Sequence, residues 1–221
     1  MILQNHESPY YNLENMKLLR LHVAHFTFHT SNWNQLRNIL ISAENEQIAL
    51  RMLPTTISLI HSIVELINSG WLYTSEIVFR SALERTATIS YMLTKKEDAM
   101  VLWRRGWKMR ERPSLIERIE TFPTTSPATS RIDVSSASID SAKKGFISMV
   151  PSLNSAVHGD DFSLQSTIVK SEEGFDHYNH ANDLESPDYA SSLSLLTSYL
   201  PIFLTLVLDN TFPLYMPQAA K

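Results

Sequence analysis

Arg80 and Glu84 stand one helical turn apart inside a strongly apolar run at residues 71–91, WLYTSEIVFRSALERTATISY. Ionised side chains are almost never fully buried without a partner. These two are flanked by Val78, Phe79 and Leu83, in a segment too apolar to be a solvated surface. A chain that folds such a helix has to cover it, and has to give each charge an opposite charge or a bound group. The feature therefore points to packed helices in which Arg80 and Glu84 pair with each other or serve a site between helices.

The rest of the chain repeats the helical period. Glycine is scarce, at 5 of 221 residues, and apolar side chains recur at three and four. Residues 12–30 read as a helix with Leu13, Met16, Leu19, Val23 and Phe26 along one stripe. Residues 44–69 read as a second, with Leu50, Leu53, Ile57, Ile60, Val64 and Ile67 as its core face. Pro54 is expected to kink it or to mark its true first turn, and Gly70 to stop it. A third helix over 72–93 runs antiparallel to the second because the turn between them is short. Residues 96–110 predict a fourth, with Pro113 opening a short fifth as a first-turn proline. Helix resumes over 135–157, interrupted near Pro151, and ends with 188–209. Between these lie a Pro/Ser/Thr-rich stretch at 122–134, expected to be a mobile loop, and an acidic, loop-rich stretch at 160–188. The expectation is an all-α multi-helix bundle forming a single domain over 1–221.

The last helix calls for a choice. Residues 189–208 contain no charged side chain, over the length of a membrane span. Yet Ser and Thr are frequent there, Pro201 interrupts the run, and no Lys or Arg flanks it closely to set an orientation. The pattern favours a buried apolar C-terminal helix in a soluble bundle, with a membrane anchor as the alternative.

Composition narrows the function classes. Lys and Arg number 19 against 23 Asp and Glu, a formal net charge of −4, which argues against a basic coat for duplex DNA. No cysteine is present, so disulfides, thiolate zinc sites and thiol catalysis are excluded. Without a Gly-rich phosphate loop, P-loop and dinucleotide folds have no support, and no cofactor is expected. The first ten residues lack the pattern of a secretory signal, so a cytoplasmic location is expected.

Four constellations are candidates for chemistry. The spacing of Arg80 and Glu84 puts guanidinium and carboxylate on one helix face, with Ser81, Arg85 and Thr88 nearby. They form either a pair that sets bundle register or an arginine oriented to hold a phosphate or carboxylate. In LNSAVHGD, residues 153–160, His158 ends an apolar turn, Asn154 lies one turn back on the same face, and Asp160 follows. His158 is either a helix C-cap or an imidazole oriented by a carboxylate for general acid–base work. Residues 103–110, WRRGWKMR, interleave aromatics with cations, and Arg112 and Arg118 extend the group. Arg104, Arg105, Trp107, Lys108 and Arg110 are candidate contacts to single-stranded nucleic acid or another anion. The alternative is an amphipathic helix with tryptophans packed inward and arginines solvated. Finally, His22, His25 and His29 share a helix face and His177 pairs with His180, but neither set has an acidic partner at a metal-motif spacing, so no metal site is expected.

The order of these pieces is similar to a HEPN-like family of bacterial helical proteins. The matching residues are Arg80, Ser81, Glu84 and Tyr91 on one helix, then Asn154, His158 and Gly159 on a later one. The resemblance covers residues 44–159 and the last helix. It implies a four- or five-helix bundle, homodimeric, in a family with many metal-independent endoribonucleases of toxin–antitoxin and phage-defence systems. In that family's ribonuclease motif an arginine precedes the histidine by four to six positions, next to a polar residue. Here Asn154 fills the polar slot, the arginine slot holds Leu153, and Arg131 is the last arginine of the chain. The expected function is therefore a regulatory or sensor component that binds a partner protein or an anionic ligand. The alternative is RNA cleavage with His158 as acid–base and Arg80, Glu84 and Asn154 completing the site, so any catalysis is expected to be endoribonucleolytic.

Overall fold

The computed structural model describes residues 43–68, 72–125, 135–158, 168–170, 176–178 and 199–211. The helix expected at 12–30, with its three histidines, lies outside them, as do Gly70, Gly159, Asp160 and His180. The described residues form α1 (Glu44–Asn68), α2 (Leu72–Arg104), α3 (Leu115–Glu120), α4 (Ser136–His158) and α5 (Leu200–Thr211). The helical class read from periodicity holds. One addition falls in the acidic stretch expected to be loop: β1 (Ile168–Lys170) and β2 (Asp176–Tyr178) pair antiparallel, with Val169 opposite His177.

The core centres on α1 against α2. Leu50, Leu53, Ile57 and Ile60, four of the six residues of the stripe read from the sequence, are buried, together with Phe79, Leu83, Ala87 and Ile89 of α2; the side chains of Val64 and Ile67 lie outside those described. Asn45 Nδ2 donates to the carbonyl of Met92, while Arg85 donates to Thr55, so the two helices run antiparallel. α1 continues through Pro54, which is exposed, rather than starting there. Likewise α4 continues through the exposed Pro151.

Four phenylalanines tie the remaining elements to this pair. Phe79 of α2 lies 5.9 Å from Phe146 of α4, Phe146 lies 5.5 Å from Phe203 of α5, and Phe203 stacks on Phe122 at 4.7 Å. Phe122 follows α3, so the start of the stretch expected to be a mobile loop is anchored in the core. Lys143 of α4 donates to the carbonyls of Glu120 and Phe122, closing the C-terminal end of α3. In α5 every residue from Leu200 to Val207 is buried, and Thr205 returns its hydroxyl to the Pro201 carbonyl at 2.8 Å. Among the described residues no helix is long and apolar enough to cross a membrane.

The structure corrects the expected helix over 96–110. Lys96, at φ 39° and ψ −102°, breaks the helical path inside α2, and the chain then returns to its earlier turns, with Trp107 beside Tyr91 and Arg112 beside Glu84. Trp107 thereby packs edge-on to Tyr91, 6.1 Å between ring centres, and lies 5.9 Å from Trp103. The helix ends at Arg104 because Gly106, at φ +85°, forms a Schellman closure. Trp107 N–H reaches the Leu102 carbonyl and Gly106 N–H that of Trp103. Pro113 does not open α3 either. It precedes the N-cap, Ser114, whose hydroxyl accepts from Glu117 N–H while the Glu117 carboxylate accepts from Ser114 N–H, a reciprocal capping box.

These two backbone positions predict opposite outcomes. Lys96→Gly removes the cost of a side chain at a positive φ and should stabilise the protein by roughly 1 kcal/mol. Gly106→Ala should destabilise by about 1 kcal/mol, and because nothing lies within 4 Å of the added Cβ, the loss is conformational rather than steric. Urea unfolding of both variants checks the pair, and a destabilised Lys96→Gly would contradict the reversal.

Candidate functional site

One face of α2 carries Glu76, Arg80, Glu84 and Thr88 on successive turns, the spacing that lets neighbours interact. Arg80 Nη1 donates to Glu84 Oε2 at 2.9 Å, the pair anticipated from the sequence. It is not an isolated pair. Arg118, entering from α3, donates from Nη2 to Glu84 Oε1 at 2.9 Å, and Arg112, from the segment that folds back, brings Nη1 within 3.4 Å of the same oxygen. From α4, Asn154 Oδ1 accepts from Arg80 Nε at 2.9 Å. Among the described residues, three guanidinium cations thus share one carboxylate, a formal surplus of two positive charges in these ion pairs.

The three arginines differ in what they have left to offer. Arg118, with 2% of its side chain exposed, also donates from Nη1 to Thr88 Oγ1 and to the Glu84 carbonyl, and from Nε to the Ser114 carbonyl. Thr88 passes its own hydroxyl proton to the Glu84 carbonyl at 2.8 Å. Arg118 is a structural anchor, and its donors are almost all engaged. Among the described residues, one Nη1 proton and both Nη2 protons of Arg80, at 15% exposure, have no acceptor, and Arg112, at 32%, makes no hydrogen bond from its guanidinium. Both acceptor oxygens of Glu84 are taken. Asn154 is half-buried, its oxygen accepts from Arg80, and its amide nitrogen has no hydrogen bond to the described residues.

Burial pushes the Glu84 carboxyl up, but the hydrogen bond and charge of Arg118, then the charges of Arg80 and Arg112, outweigh it and hold the group below its ordinary value. One turn before Arg80, the half-buried Glu76 behaves oppositely. Burial pushes its carboxyl up, and no neighbouring cation among the described residues offsets the shift.

Of the residues read from the sequence, Arg80, Glu84 and Asn154 come together in direct contact. His158 is exposed in the last turn of α4, one turn past Asn154 on the same face, and Asp160, offered as its orienting group, lies outside the described residues. The cationic run at 103–110 divides. Arg104 is tied to Glu44 at 2.5 Å, Trp107 is packed against Tyr91, and Arg105, Lys108 and Arg110 are exposed. Arg112 and Arg118, grouped with that surface by sequence, belong to the Glu84 cluster instead, and Arg118 is not solvated at all. A signal for the helix that delivers Arg118 is present in the spacing of Ser114 and Glu117, which form its capping box, but nothing in that spacing tells which partner the arginine reaches.

No group of histidine and carboxylate residues suited to a metal ion occurs among the described residues. No family model, curated protein or solved structure matches this chain. What defines the class is therefore the fold and the cluster themselves: a helical protein with a cation-rich, partly exposed carboxylate hub.

The hub predicts a specific acid response. A carboxyl with its folded-state value depressed contributes stability that is fully present above its unfolded value, 4.5, and lost as pH falls through the depressed value. Glu84→Gln strands Arg118 in the core and should cost about 3–5 kcal/mol at pH 7. Melting temperatures of wild type and variant should converge as pH drops well below 4.5, and a constant gap across that range would show that Glu84 does not carry the pairing.

Proposed function

We propose that this chain is a HEPN-like helical protein whose Arg80–Arg112–Asn154 face holds an anionic group. It would act as a cytoplasmic, homodimeric regulatory or sensor component of a bacterial defence, toxin–antitoxin or stress module. The observation that supports this reading is the ratio of three arginines to one carboxylate. A purely structural pair needs one cation per anion. Here the buried Arg118 already satisfies that need, and two further guanidiniums stand at the rim with donors that no described residue accepts. Planar guanidinium groups recognise carboxylates and phosphates by paired hydrogen bonds, so the geometry suits a ligand oxyanion.

The test is thermal protection by a panel of organic carboxylates and phosphates at constant ionic strength. A ligand present at 100 times its dissociation constant should add about 2.7 kcal/mol of stability. Arg80→Lys keeps the charge but replaces the separate Nε, Nη1 and Nη2 donors of a planar fork by one nitrogen, which cannot hold Asn154 and Glu84 and still present a paired contact to the ligand, so most of this protection should disappear. Protection that is absent in wild type, or equal in the variant, would refute the site.

RNA cleavage is the second reading, favoured by the place of His158 one turn from the Asn154–Arg80 hydrogen bond. Incubation with labelled RNA should then show cleavage that falls about 10²–10⁴-fold in His158→Ala, the range for positioned proton transfer. Cleavage that is equal in wild type and variant, or absent from both, would remove this reading.

A further inference from the structure

We infer that the group held at this face is a phosphomonoester dianion, in preference to a carboxylate or a phosphodiester. The inference rests on the anion-binding reading and adds the charge and shape of the ligand. Glu84 neutralises one of three guanidiniums, so a bound monoanion would leave the cluster with one uncompensated cation, whereas a dianion completes the balance. A phosphomonoester carries about −1.5 to −2 near neutral pH and presents three terminal acceptor oxygens, while a diester carries only one charge.

The hydrogen-bond inventory agrees with the charge count. Among the described residues, the rim leaves without a hydrogen-bond acceptor one proton of Arg80 Nη1 and both of Nη2, the guanidinium of Arg112 and the amide nitrogen of Asn154. The carboxylate among the arginines, Glu84, has both oxygens engaged by them. A face with surplus donors and spent acceptors suits a group that only accepts and accepts several times. A carboxylate brings two oxygens in one plane. A tetrahedral phosphoryl group presents its oxygens in three directions, as do donors arriving from α2, from the segment before α3 and from α4. The anchoring of Glu84 by the buried Arg118 keeps the hub in place whether or not the rim is occupied.

The experiment is calorimetric titration of the whole chain with methyl phosphate, dimethyl phosphate and acetate at pH 8 and constant ionic strength, with inorganic phosphate as a fourth arm. Methyl phosphate should bind at least roughly tenfold more tightly than dimethyl phosphate or acetate, one charge-assisted contact being the difference. Inorganic phosphate binding more tightly than methyl phosphate would identify free phosphate rather than an ester as the source, and would overturn the ester assignment. Arg112→Gln leaves Arg80 and Arg118 on Glu84, so it should fold normally, with its midpoint of unfolding near wild type. It should bind methyl phosphate roughly ten- to a hundredfold more weakly. Lys144→Gln, at an exposed ion pair with Asp140, controls for general surface charge and should bind as wild type does. Equal affinity for methyl phosphate, dimethyl phosphate and acetate, all weakened by Arg112→Gln, would overturn the dianion inference and leave the anion site standing. No binding by any of them, or binding indifferent to Arg112→Gln, would remove both.

Discussion

The carboxylate of Glu84 is the point at which the helices of this protein are fastened together by charge. Arg118 crosses from α3 to reach it and is almost completely buried in doing so, Arg112 closes on it from the preceding turn, and Arg80 passes its hold on to Asn154 of α4. Two charges withdrawn from water cost more than their attraction returns unless the remaining donors find partners. Here Thr88, the Glu84 carbonyl and the Ser114 carbonyl supply them. The buried arginine is thereby committed to one geometry, and α3, too short to persist alone, is held against α2 by it.

Apolar packing performs the complementary task. The chain of rings Phe79, Phe146, Phe203 and Phe122 links α2, α4, α5 and the turn after α3 through contacts that specify proximity but little direction. Direction comes from polar links: Asn45 to Met92, Ser90 with Thr121, and Lys143 on the end of α3. Each joins segments far apart in sequence, and each would leave an unsatisfied group if the helices slid by a turn.

The arginine cluster depends on a reversal of the chain. Had α2 continued straight through Lys96, Arg112 would lie far along the helix axis from Glu84, at about 1.5 Å per residue. The break at Lys96 and the closure at Gly106 return the chain beside its own earlier turns, with Tyr91 and Trp107 packed at the fold. The third arginine, and with it the second of the two surplus positive charges, reaches the cluster because of that return.

Helical class, the buried faces of α1 and α2, the apolar character of α5 and the pairing of Arg80 with Glu84 follow from the sequence by itself, since each depends on residues within a few turns of one another. The same holds for Asn154 as a polar position in an apolar turn, although not for its partner. The sequence also carried the break after residue 93, but as a boundary between two helices, because periodicity records where a helix stops and is blind to the angle at which the chain leaves. Only the tertiary structure decided that Arg118, one of several basic residues in a polar stretch, would be the buried one, and that Arg104 would turn to Glu44 while Arg112 turned to Glu84. An arginine's side chain is long enough to be solvated or buried at almost any position. Which of the two it becomes depends on where another helix presents a carboxylate, and that is a relation in space that no local pattern of residues encodes.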